Sequence, residues 1–130
     1  MKPNPAVWFE IYVQDLARAR AFYETVFQCQ LEPLPAPEGD ASDMEMLSFP
    51  MNMDAPGTGG ALVRMEGAPV GGAGVGTLVY FGCEDCAVEL ARVQAAGGTV
   101  HRPKFSIGQY GYCALVLDTE GNCIGLHSMA

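Results

Sequence analysis

One order of elements occurs twice along this chain, about seventy residues apart, and it restricts the possible folds more than any other feature. From Val7 to Val13 the residues alternate, with Phe9, Ile11 and Val13 on one face and Trp8, Glu10 and Tyr12 on the other, as in a half-buried strand. Asp15 then offers a carboxylate to the orphan N–H groups of a helix's first turn. Leu16, Ala19, Tyr23 and Val26 recur at offsets of three and four, which predicts a helix over 16–27, with Phe22 and Phe27 flanking its apolar stripe. Extended pieces are expected at 30–33, 45–49 and 61–65. The plan restarts with a strand over 78–83, a second cap at Asp85, and a helix over 86–96 that Gly97-Gly98 ends. Further extended pieces are expected at 99–102, 112–117 and 123–128, the last two joined by the turn Asp118-Thr119-Glu120-Gly121-Asn122.

One such half leaves the second face of its sheet uncovered, and a pair of halves can shelter those faces together. The expected fold class is therefore α+β: two βαβββ modules forming a curved mixed sheet around a cavity, with helices on the convex side. Module 1 spans about 6–65 and module 2 about 76–130. The linker 66–75 holds four glycines and a proline, and the whole of 1–130 reads as a single domain. A net charge of −8 argues against nucleic acid and anionic membranes, which call for clustered Lys and Arg. Glu10 and Gln14 interrupt the first apolar stretch, so no signal or membrane segment is read there. Five cysteines without an export signal read as reduced, buried hydrophobes in a cytoplasmic protein.

The opening W-F-E-I-Y-V-Q-D-L-A-R-A-R-A-F-Y and the closing D-T-E-G-N-C-I-G-L resemble the vicinal oxygen chelate superfamily, which includes glyoxalases, bleomycin-resistance proteins and extradiol dioxygenases. The resemblance covers nearly the whole chain. It implies paired βαβββ modules enclosing a cavity, commonly in a homodimer, and in the enzymes a divalent metal that binds two substrate oxygens. The metal positions carried over from the family fall on Trp8, Leu78 and Gly125, with Leu62 or Arg64 as inward candidates on the fourth strand. Trp offers only an N–H donor, Leu and Gly have no donor atom, and Arg stays cationic. Zinc-type sites need N or O atoms at about 2.0–2.2 Å, usually three or four from the protein. No metal and no other cofactor is therefore expected.

Glu10 lies on the Trp8–Tyr12 face, where a carboxylate costs several kcal/mol unless it is hydrated, paired or neutralised. Two readings stand: it binds a cationic or hydrogen-bonding ligand or acts as a base, or it pairs with Arg64 or a tyrosine hydroxyl and closes the sheet. His127, on the face of Gly125, is a proton carrier or a hydrogen-bonded wall residue. Two histidines and one inward carboxylate are few for a metal cluster, and a weak rebuilt site from Glu10 and His127 stays open as the minor reading. His101 is expected to be solvated. Cys83-Glu84-Asp85-Cys86 reads as a dithiol switch or as packing, and the alternation of its strand favours packing. Trp8, Tyr12, Tyr80, Tyr110 and Tyr112, mixed with Glu10, Arg64 and Met46, are either the walls of a site for a planar ligand or the ordinary aromatics of half-buried strands. The loop Phe49–Gly60, with two methionines and two prolines, is an adaptable lid or a plain crossover. Together these features point to a protein that binds a small organic molecule in a metal-free aromatic–polar cavity. The alternative is a glyoxalase-like lyase or isomerase, or a dioxygenase, with a non-standard metal site or an acid–base site using Glu10 and His127.

Overall fold

The computed structural model describes residues 3–39, 43–68 and 76–130; most of the expected linker, 69–75, lies outside the described residues. The elements run β1 (Ala6–Tyr12), α1 (Leu16–Phe27), β2 (Glu32–Leu34), β3 (Glu45–Ser48), β4 (Gly59–Arg64), β5 (Thr77–Gly82), α2 (Cys86–Leu90), β6 (Thr99–Ser106), a 3-10 turn at Gly108–Tyr110, β7 (Tyr112–Leu117) and β8 (Cys123–Ser128). The α+β class and the βαβββ order, present twice, are as expected. The chain divides into two compact units. Trp8–Ala36 with Asp43–Thr77 forms the N-terminal unit, and Leu78–Ala130 with Met1–Val7 and Pro37–Ser42 forms the C-terminal unit.

The N-terminal sheet has the order β2-β3-β4-β1, with β1 and β4 parallel and the other pairs antiparallel. Asp15 caps α1 as its chemistry requires, accepting the N–H of Arg18 at 3.0 Å. The helix covers the face of Ile11, Leu62 and Leu47, packing Leu16, Ala19 and Tyr23 over them with Leu31. Leu31 and Leu62 are wholly buried, each contributing roughly 1.5–3 kcal/mol by leaving water. The end of α1 is pinned to β2 through Glu24. Its carboxylate accepts the Arg20 Nε–H at 3.0 Å and the Leu31 N–H at 2.7 Å, while Arg20 also donates to the Leu31 carbonyl.

The C-terminal sheet has the order β5-β8-β7-β6, with β5 and β8 parallel. Asp85 caps α2 by accepting the Ala87 N–H at 2.9 Å, and Cys86, Ala114, Val116 and Leu126 form the core beneath it. The turn 118–122 closes on Asp118, whose side chain accepts the N–H groups of Glu120 and Asn122, and Gly121 takes a positive φ of 82°.

Several boundaries differ from expectation. Helix α2 ends at Leu90 rather than 96. Beyond it the chain winds on through shorter bonds such as Val93 N–H to the Leu90 carbonyl, before Gly97 turns at φ 97°. Strand β6 runs on to Ser106, through Pro103 and two register shifts. An outer strand tolerates a missing N–H, which is why the proline does not stop it. Gly59 and Gly60 belong to β4 and not to the preceding loop. His101 lies within β6 and is exposed.

Candidate functional site

Register decides which side chains share a face. Side-by-side pairing sets Trp8 against Gly59, Glu10 against Ala61 and Tyr12 against Val63. Met46 pairs with Val63 and Ser48 with Ala61 on the next strand. These residues form the face of the N-terminal sheet opposite α1. Leu62 pairs with Ile11, so Leu62 and Arg64 belong to the helix side, and the expected inward placement of both is corrected. Arg64 leaves the strand end to donate to the Gln14 carbonyl at 3.2 Å and to Glu45 at 3.3 Å, half-exposed, and so is turned away from the Glu10 face.

Glu10 is 5% exposed, the only buried carboxylate among the described residues. Its neighbours across the sheet are apolar: Ala61 and Val63 are fully buried and Met46 nearly so. Ser48 spends its hydroxyl on the Phe49 carbonyl. Two donors from the same strand hold the carboxylate, one per oxygen. The Trp8 indole N–H reaches Oε2 at 3.1 Å and the Tyr12 hydroxyl reaches Oε1 at 2.6 Å, the length of a charge-assisted bond. The spacing of two along a strand puts all three side chains on one side, which is why sequence alternation found them. Chemically, this is a preoriented acceptor between an indole and a phenol, suited to a cation, an N–H donor or a transferable proton. A cleft of about 480 Å³ adjoins Tyr12, bordered also by Val13, Asp15, Arg18, Ala19 and Phe22.

In the C-terminal unit, Tyr80 pairs with Gly125 and Cys113 with His127, on the face opposite α2. Tyr80 is buried, and its ring covers the place where a β-carbon of Gly125 would stand. The His127 ring donates its Nε2–H to the Tyr110 carbonyl at 2.6 Å, because a carbonyl only accepts. Tyr110 sits in the 3-10 turn before β7. Tyr112 is corrected: it pairs with Ser128 on the helix side, where the Lys104 ammonium lies 4.6 Å from its ring centre. The Cys83 thiol is pushed up to about 11, by burial first and then by Glu89, which is the opposite of a reactive dithiol.

Sequence reading places Met51 and Gly59 in a lid or crossover loop and misses that they meet beside Trp8. A β-carbon at Gly59 would lie 2.7 Å from Met51 Sδ and 3.1 Å from Trp8 Cζ3. Glycine inside a strand is the available signal, since it marks close approach of another group.

Residues 6–38 match the family described as bleomycin resistance protein-like N-terminal. A solved structure of methylmalonyl-CoA epimerase from Streptomyces coelicolor, with 2-nitronate-propionyl-CoA, superposes with a TM-score of 0.65 at 20% identity, covering 97% of each chain. The chain has the vicinal oxygen chelate fold. A hypothetical protein from Bacillus halodurans shares this fold with TM-score 0.69, 13% identity and coverage of 98% of this chain and 95% of that one. A Legionella pneumophila protein named as an NAD-dependent benzaldehyde dehydrogenase gives 0.57, 17%, 95% and 98%. Such different names on one fold show that its activity has to be argued from the site. No curated protein sequence matches the chain significantly.

The metal used by enzymes of the vicinal oxygen chelate fold needs lone pairs at set strand positions, and the residues there do not fit it. Trp8 Nε1 carries a proton and donates it to Glu10. Leu78 is buried and apolar, and Gly125 lies under the Tyr80 ring. On β4 the side chains on the Glu10 face are Ala61 and Val63. Among the described residues no three His, Cys, Asp or Glu side chains gather in a metal-holding group.

Proposed function

We propose that this protein binds a small organic molecule, cationic or rich in N–H and O–H donors, against Trp8, Glu10 and Tyr12, without the divalent metal of its fold relatives. The observation that carries this is the buried Glu10 carboxylate, held between an indole and a phenol beside Ala61, Val63 and Met46. Burying a carboxylate is costly, and a bound partner supplying positive charge or donors offsets that cost. Tyr110, partly exposed before β7, offers a further aromatic contact on the C-terminal unit, whereas Tyr80 is buried over Gly125. The net charge of −8 favours the same ligand class. Five free cysteines suit a reduced cytoplasmic setting, and no helix among the described residues is long and apolar enough to cross a membrane. Phe22, Val26 and Phe27, all more than half exposed on α1, support a homodimer.

Titration calorimetry with a flat aromatic cation (N-methylacridinium), an anion of similar size (2-naphthalenesulfonate) and methylmalonyl-CoA tests the proposal. The cation binds, and Glu10→Gln weakens it about 10- to 100-fold, the worth of a hydrogen bond or contact to a charged group. Preference for the anion, or a Glu10→Gln variant binding the cation as tightly as the parent, overturns the reading. Glu10-dependent uptake of solvent deuterium into methylmalonyl-CoA replaces it with an acid–base enzyme.

A further inference from the structure

Trp8 is constrained at two ends. Its indole N–H rests on Glu10, and on the far side of the ring system Cζ3 borders the space left by the missing side chain of Gly59. Met51 fills the rest of that space: a β-carbon at Gly59 would lie 2.7 Å from its Sδ and 3.2 Å from its Cγ. The indole is rigid and flat, so a rotation that lifts the edge off Gly59 also swings the N–H away from the carboxylate. Met51 opens the loop leading to β4 and is 46% exposed, and Met53 at the tip is 84% exposed. A thioether is an adaptable filler and a favourable neighbour for an aromatic edge.

We propose that Met51, seated over Gly59, is a positioning residue that holds Trp8 on Glu10, and that it couples the loop 50–58 to the site. This rests on the binding role assigned to Glu10 above. A ring stacked on Trp8 then meets a fixed wall, and movement of the loop loosens wall and carboxylate together. Among side chains at position 51, methionine suits the place because its sulfur reaches the floor of β4 while its stem follows the loop.

The chain has a single tryptophan, so one indole N–H resonance reports Trp8. Gly59→Ala forces the thioether out and is expected to move that resonance in the direction Glu10→Gln moves it. Met51→Ala empties the seat and is expected to move it the same way. In the double variant the new methyl at 59 takes the volume the sulfur held, and the resonance returns toward the parent's. N-methylacridinium affinity follows the same order, about tenfold down in each single variant and restored in the double. Unfolding by heat, followed by far-UV circular dichroism, shows that all three remain folded. Single variants with an unmoved resonance, or a double variant further displaced than either, overturn the proposal. A parent protein that ignores every probe defeats the binding role while the resonance still decides the role of Met51.

Discussion

Replacing Gly125 by alanine puts the packing of the C-terminal sheet under direct test. Gly125 is buried on β8 beside Tyr80 of β5, and the added methyl would enter the Tyr80 ring close to its attachment point, where Cγ itself lies 2.8 Å away. The ring is buried and has no flexible end to give way. Overpacking of this kind costs about 1–3 kcal/mol. Alanine recovers up to about 1 kcal/mol by restricting the unfolded chain. The net loss is then about 1–2 kcal/mol, which for a chain of this length lowers Tm by roughly 3–10 °C. Urea unfolding followed by circular dichroism is expected to show a lower midpoint with an unchanged slope. On a Tyr80→Leu background the same substitution is expected to cost nothing, giving a coupling of about 1 kcal/mol or more. A Gly125→Ala protein as stable as its parent, or an equal loss in both backgrounds, refutes the claim that Tyr80 fills this position. The same experiment bears on function, since a glutamate placed here to restore a metal ligand would meet the same ring first.

Two more expectations follow from titrating groups. The Lys104 ammonium, 2.9 Å from Asp85, and then the Ala87 N–H hold the Asp85 carboxyl below its ordinary value, and Asp85 raises Lys104. The depressed carboxyl gives stability that is present above its unfolded value and lost as pH falls through the folded one. The raised ammonium gives stability present below its unfolded value and lost as pH climbs through its folded one. Lys104→Met is therefore expected to flatten the acid limb of a urea-midpoint profile, and an unchanged limb refutes the pairing. For Cys83, raised to about 11, the thiolate fraction at pH 8 is about a hundredth of an ordinary thiol's. Mass spectrometry after iodoacetamide treatment is expected to find it labelled in step with unfolding, and fast labelling of the native protein contradicts the assignment.

The strand–cap–helix openings were legible because alternation, an aspartate and a three-four stripe are all local signals. Trp8, Glu10 and Tyr12 were found for that reason, and their hydrogen bonds required only that they share one face. Arg64 and Tyr112 were misplaced because strand facing depends on register, which a partner strand sets. Gly60, Ala61, Leu62 and Val63 of β4 are all buried, so this strand shows no apolar–polar alternation from which the facing of Arg64 can be read. Helix α2 was read too long because Leu90 and Val93 keep the helical period while the backbone has already tightened toward Gly97. Met51 was invisible as a partner of Trp8, because no periodicity links a loop to a strand it folds back upon.

Pro33 and Pro103 sit in β2 and β6, the strands that end the two sheets at the sides away from β1 and β5. Each removes an N–H from the rim, and the register shifts of β6 disorder its row of donors further. An incoming strand from another chain would find broken teeth along both rims. Self-recognition by zipping backbone to backbone is discouraged there, which directs any pairing of copies to side-chain surfaces and guards the protein against runaway fibre growth at high concentration.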